Sequence, residues 1–356
     1  MENDDRQQWG ATAFVFVFLG LLLLFVFLVS RKPAQDGADT PVATDAQASF
    51  WDGLRQRAPE YGTVEYNCPV DGTALDVPNR LRDNRYGGVA SDFMKITLAP
   101  PAAEHGQPDL TVQEWERMPA TCPTCGATFM EIDLLNLSSQ MLPGGLTALK
   151  EWDLAEAAPP LAEVPPAQWT KDEQLFVRYL THRQAGFPGT ELGYAALPAA
   201  YASNFAVWYG KDYAVPSGAY YALAAARMRA DLDAGLPERE GERALIMFDL
   251  GELYRLLGRP DDASAWFNNA LDTGLLDEGR LAALKQLKAA LESGDYSLER
   301  VEIEGLTAPP VGWYLDTMLP AINGHISEHR DDWNGMDDPA AIEQAIIQRI
   351  GERRGQ

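Results

Sequence analysis

The chain has 356 residues, 46% of them hydrophobic, and a formal net charge of −23. That length allows two or three folded units with buried cores, whereas the acidity excludes a nucleic-acid binder, because the phosphate-attraction term would be repulsive over most of the surface. The only three cysteines, Cys68, Cys122 and Cys125, are too few and too local to staple a secreted disulfide domain, and they point to a reducing compartment.

Residues 10 to 30, "GATAFVFVFLGLLLLFVFLVS", run 21 residues without a charge. As a helix this is about 31 Å, the thickness of a bilayer core, and it predicts a single transmembrane helix. The leading "MENDDRQQW" holds three acids and only Arg6, which does not suit a cleaved secretory signal. Arg31 and Lys32 follow the apolar run directly, with Arg55 and Arg57 further on. By the positive-inside rule the N-terminus lies outside and the body is cytoplasmic, in a single-pass inner- or cell-membrane protein. Trp9, Phe14, Leu22, Phe27, Arg31 and Lys32 form the expected anchor. Residues 31–60, rich in Ala, Asp, Pro, Thr and Gln, read as a flexible linker.

Residues 61–135 carry two versions of one phrase, "YNCPVDGTALDV" and "ATCPTCGATFMEI". In a zinc knuckle the turn after the first Cys aims backbone amides at a thiolate, Pro sets the turn, and Gly supplies the positive φ that curls the chain back. Two knuckles about 50 residues apart, each beside a short strand such as "GTVEYNC", form a zinc-ribbon arrangement with four ligands on one metal. Here the expected set is Cys68, Asp71, Cys122 and Cys125, with Asp71 where a fourth Cys would stand and His105 as another candidate for that corner. Two readings stay open: a structural zinc, or a ribbon that kept its turns without the metal. The insert between the knuckles reads as a basic solvated loop at Arg80, Arg82 and Arg85, then a strand and a Pro-rich loop.

The prolines of "EAAPPLAEVPPAQW" mark residues 136–165 as a connector. A helical domain follows over 166–300. "TKDEQLFVRYLTHRQ" opens with a capping box of Thr170 and Glu173, and Leu175, Phe176, Tyr179 and Leu180 recur at helical spacing; His182 is expected exposed near the helix end. A second helix is predicted from Ser217 to a stop at Gly235. In "RALIMFDLGELYRLLGRPDDASAWFNNALDTG", Gly251 and Ala263 sit where a tetratricopeptide repeat brings two helices together, Tyr254 and Phe267 where it fills the gap, and Asp261 or Asp262 where it caps the second helix. "DEGRLAALKQLKAALESGD" supplies the next helix. Tyr254, Phe267, Trp266 and Arg255 are the expected partner-binding face.

The extension 301–356 contains "HISEH", His325 to His329. H-x-x-E-H is the inverted zinc-protease pattern, with both imidazoles on one helix face and Glu328 as base; the plainer reading is a helix from about Trp313 with polar histidines at its exposed end. "DPAAIEQAIIQRIGERR" places Ile342, Ala345, Ile346 and Ile350 on one stripe and predicts a partner-binding or docking helix.

Two knuckles followed by "GELYRLLGRPDDASAWF" resemble a bacterial family, domain of unknown function 2225, over roughly Tyr66 to Asp295. The resemblance implies a zinc-ribbon-like head on a tetratricopeptide-like tail, and Asp71, the membrane anchor and the C-terminal extension depart from it. The expected fold class is mainly α: one transmembrane helix, a small β zinc-ribbon-like domain and an α-helical tetratricopeptide-like domain. The expected function is a membrane-anchored, non-catalytic interaction protein, a scaffold or accessory subunit of a larger membrane complex. Its partners are proteins and, through residues 10–30, the lipid bilayer. Structural zinc is the only cofactor expected. The alternative is a membrane-bound zinc hydrolase using residues 325–329.

Overall fold

The computed structural model describes residues 63–78, 85–90, 95–98, 119–138, 144–301 and 312–355. The expected anchor at Trp9, Phe14, Leu22, Phe27, Arg31 and Lys32, the linker, Arg80, Arg82 and His105 lie outside them. Among the described residues no helix is long and apolar enough to cross a membrane. All of these residues belong to one compact unit, Val42–Gln356, and the architecture is mainly helical.

Alternation over the first strand produces a hairpin. β1 (Thr63–Asn67) pairs antiparallel with β2 (Ala74–Pro78), with Tyr66 opposite Leu75 and Asn67 opposite Ala74. Leu75 and Val77 turn inward and are buried, whereas Asp76 between them is exposed, the period of two that a strand with one buried face requires. β3 (Arg85–Ala90) pairs with β4 (Lys95–Leu98) and also with β7 (Arg300–Val301), so the insert joins chain that returns more than 200 residues later. The segment from Arg85 expected to be loop is therefore a strand. β5 (Ala120–Thr121) and β6 (Thr128–Phe129) form the second knuckle's hairpin, beside β2.

The helices begin directly after it. α1 (Glu131–Ser138) leads to α2 (Gly145–Leu149), α3 (Leu154–Ala157) and α4 (Pro159–Ala162). The connector is thus a series of short helices rather than an extended break, because Leu149, Trp152, Ala158, Leu161 and Trp169 are all buried in the shared core. Its prolines start helical turns, at Pro159 and Pro166, where a missing N–H costs nothing.

The body is built on α5 (Lys171–Ala185), α6 (Gly189–Trp208) and α7 (Ser217–Asp233), with α5 and α7 both packed on α6. At the start of α5 Glu173 reaches back to the Thr170 N–H at 2.7 Å. Close approach of α6 and α7 follows from their small buried residues, Ala195, Ala196, Ala199 and Ala200 facing a helix that buries Ala222, Ala224, Ala225 and Ala226. α8 (Glu240–Leu256) and α9 (Pro260–Asp272) form the antiparallel pair predicted from the repeat pattern. A Cβ on Gly251 would stand 2.3 Å from Cδ1 of Phe267, so glycine is what allows that ring to seat. Pro260 opens α9, with Asp261 and Asp262 in its first turn rather than at its cap. α10 (Glu278–Glu292) stacks next, capped by Asp277.

α11 (Gly312–Trp333) packs on α6 and α7, and α12 (Pro339–Arg354) on α7 and α4. The predicted docking helix therefore docks on its own chain: Ile342, Ile346 and Ile350 are fully buried. The buried Glu343 carboxylate accepts hydrogen bonds from the Tyr179 hydroxyl and from Arg183 and Arg227. Arg354 closes the end of α12 onto Glu173.

Candidate metal centres

Each knuckle is the tip of its hairpin, and the two tips have the same backbone. The Cys68 N–H donates to Thr73 O at 2.8 Å and the Gly72 N–H to Cys68 O at 2.9 Å; the Cys122 N–H donates to Ala127 O at 2.8 Å and the Gly126 N–H to Cys122 O at 2.9 Å. Gly72 and Gly126 have φ of 83° and 72°, the left-handed conformation that a side chain would strain. Thr73 Oγ1 donates to Thr124 Oγ1 across the two tips at 3.1 Å.

The matched turns bring Cys68, Asp71, Cys122 and Cys125 together, one donor atom of each lying within 4.8 Å of every other. Sγ of Cys68 and Cys125 are 3.6 Å apart, and Cys122 Sγ is 3.5 and 3.7 Å from the two Asp71 oxygens. Donors held about 2.0–2.3 Å from one centre at tetrahedral angles lie about 3.3–3.8 Å apart, so these separations suit one four-coordinate ion. Cys68 and Cys122 are buried, Cys125 is partly buried and Asp71 is exposed. The contact between Cys125 and Cys68 lowers the Cys68 thiol to about 7 against the opposing effect of burial, while the same contact, together with burial, raises Cys125. Burial pushes the Asp71 carboxyl up, and hydrogen bonds from Thr73 and the thiols outweigh it, leaving the group below its usual value; the Thr73 N–H donates to it at 2.9 Å.

The knuckles are braced from the helical side. Trp152 Nε1 donates to Cys125 O at 3.0 Å and Lys150 Nζ to Val70 O at 3.1 Å. A Cβ on Gly126 would meet Leu154 Cδ2 at 2.6 Å. Beneath them, Asp133 of α1 takes the Met130 N–H at 2.7 Å and a two-point contact from Arg178 of α5, at 2.7 and 2.8 Å. Burial alone would raise the Asp133 carboxyl; the charges of Arg178 and His182 reverse this and hold it well below the usual carboxylate range. His182, expected at an exposed helix end, is 4% exposed: its ring stacks on Phe187 with centroids 4.3 Å apart, and Nε2 lies 3.1 Å from Asp133. Burial lowers its pKa. The signal for this clamp was a charge inside an apolar run, Asp133 in "EIDLLNL" and Arg178 in "LFVRYL".

The second gathering is on α11. His325, Glu328 and His329 bring one donor atom each within 4.8 Å of one another. His325 is not at an exposed end; it is 7% exposed, with its ring edge-on to both Tyr213 and His329 at 4.9 Å between centroids. Its buried Nε2 has no hydrogen-bond partner. Burial, reinforced by His329, lowers its pKa to about 4. Glu328 is exposed and His329 partly so. Tyr213, which carried no motif in the sequence, packs against His325 from the loop between α6 and α7.

The expected partner face does not form. Tyr254, Phe267 and Arg255 are buried, because they hold the repeat together: Phe267 fills the notch at Gly251, and Arg255 binds Glu252 at 2.7 and 2.8 Å and the carbonyls of Asp295 and Ser297 at 2.7 and 2.6 Å. Trp266 alone of the four keeps partial exposure. A groove of about 530 Å³ opens elsewhere, between α6, α7 and α8, lined by Pro188, Tyr194, Leu236, Leu245 and Ile246 with Glu191, Glu238 and Glu242 at the same site. Leu236 and Tyr194 are among the most exposed large apolar residues described.

No protein-family model, curated protein or solved structure matches the chain.

Proposed function

We propose that the protein is a membrane-anchored, non-catalytic interaction subunit whose head is fixed by one structural zinc ion. The observation that carries this reading is the convergence of Cys68, Asp71, Cys122 and Cys125 within 4.8 Å of one another, with the Cys68–Cys125 and Cys122–Asp71 pairs at separations a tetrahedral ion requires. Three thiolates and a carboxylate would fill all four positions, the closed coordination of a structural site. Bound zinc would displace the thiol protons of Cys68, Cys122 and Cys125 and tie two hairpins that come from either side of a long insert. The buried clamp at Asp133 and Arg178 then makes the head one piece with the helical body.

The groove between α6, α7 and α8 supports the interaction reading. It offers apolar area with acidic groups beside it, which suits a partner segment carrying basic and apolar side chains. The 10–30 segment supplies the membrane attachment in this account, and the cytoplasmic orientation rests on Arg31 and Lys32. Purification of the full chain from detergent-solubilised membranes, with zinc analysis of wild type and Cys122→Ser, tests both parts. The expected result is a defined complex whose zinc falls by about one ion per chain in the variant. A chain that emerges alone and monomeric contradicts the scaffold role, and zinc content unaffected by Cys122→Ser contradicts the metal role.

A further inference from the structure

We propose that His325, Glu328 and His329 form a second site for a divalent transition-metal ion, on α11 and separate from the knuckles. Residues three and four apart share one face of a helix, and here that spacing brings one donor of each side chain within 4.8 Å of the others. Imidazole nitrogens and a carboxylate oxygen are the donor set that zinc, cobalt or nickel takes in preference to magnesium or calcium.

Three further observations favour a ligand over a simple packing role. First, the His325 Nε2 is buried without a partner, and an unsatisfied buried nitrogen is a standing cost that a bound cation would remove. Second, the His329 Nδ1 lies 3.5 Å from Asp332. A carboxylate on one ring nitrogen orients the imidazole and leaves the other nitrogen for metal, although Asp332 also receives Arg349 at 3.4 Å. Third, the neighbouring cation is turned away: Arg330 donates to the carbonyls of Leu256 and Tyr296, both at 3.1 Å. Glu328 and the partly exposed His329 give an ion access from solvent, while Tyr213 covers His325. Three protein donors leave room for water, and no catalytic step is assigned to the site.

Cobalt titration of the full chain in detergent tests this independently of the knuckles, because thiolate-bound Co²⁺ absorbs intensely in the near ultraviolet and a His₂Glu site gives only weak visible bands. The expected outcome is that Cys122→Ser loses the intense band and keeps the weak ones, while His329→Ala does the reverse and weakens the second site at least about tenfold. Circular dichroism of His329→Ala and of the milder Glu328→Gln checks that α11 still folds; Glu328→Gln should weaken the site with helicity intact. Absence of Co²⁺ binding to Cys122→Ser at micromolar metal overturns the proposal, as does binding unchanged by His329→Ala. A wild type showing the weak bands alone would leave this site standing and remove the knuckle centre.

Discussion

Asp133 and Arg178 meet through two hydrogen bonds, at 2.7 and 2.8 Å, with both side chains buried and 45 residues apart in the chain. The pair fastens the helix that leaves the second knuckle to the first long helix of the body. Removing one partner of a buried ion pair leaves an uncompensated charge and costs about 3–5 kcal/mol. Asp133→Ala should therefore destabilise the protein by about that amount in denaturant unfolding, and it also frees the Met130 N–H. Arg178→Met together with Asp133→Leu should cost less than the sum of the single changes; strict additivity would mean that the two residues do not act as a pair.

Gly251→Ala separates propensity from packing. In an exposed helix the change stabilises by about 1 kcal/mol, but the added methyl would overlap the Phe267 ring, with Cδ1 and Cε1 at 2.3 and 2.5 Å. Overpacking a tight core costs about 1–3 kcal/mol, so net destabilisation is expected. Phe267→Leu in the same chain should recover part of it, and a Gly251→Ala protein more stable than wild type would show that α8 and α9 are not in this close contact.

Asp249 gives the fold a pH dependence of definite sign. Burial raises its carboxyl from 3.8 to about 7, outweighing the Tyr194 hydrogen bond and the charge of Arg280. The folded state thus binds the proton more tightly than the unfolded chain. The resulting contribution is fully present below about pH 4 and is lost as pH rises through about 7, up to about 4 kcal/mol in all. Asp249→Asn should flatten the stability profile between pH 4 and 8 as measured by urea unfolding at successive pH values. An unchanged slope in the variant would assign the dependence to other groups.

Much of the body was legible because periodicity reports burial. The capping box at Thr170, the start at Ser217 and the pair around Gly251 were written in local sequence. The knuckles were legible because Pro and Gly fix the turn whatever the ligand. What local pattern does not encode is which apolar stripe meets which. Ile342, Ile346 and Ile350 read as a surface awaiting a partner, and the partner was α7 and α4 of the same chain. Tyr254 and Arg255 read as a recognition face for the same reason: an aromatic beside a cation suits an interface, and only the packing of the segment at Asp295–Ser297 shows that Arg255 is enclosed. Polarity likewise predicts exposed positions for His182 and His325, whereas their neighbours Phe187 and Tyr213 pack against them.

The knuckle tetrahedron is the central claim, and zinc-edge X-ray absorption of the full chain carrying His329→Ala, which confines zinc to the knuckles, measures it directly. About three sulfur neighbours at about 2.3 Å and one lighter atom at about 2.0–2.2 Å are expected, with Asp71→Cys converting the shell to four sulfurs and tightening metal retention. A shell of nitrogen and oxygen alone, or a protein that retains no zinc, would contradict it.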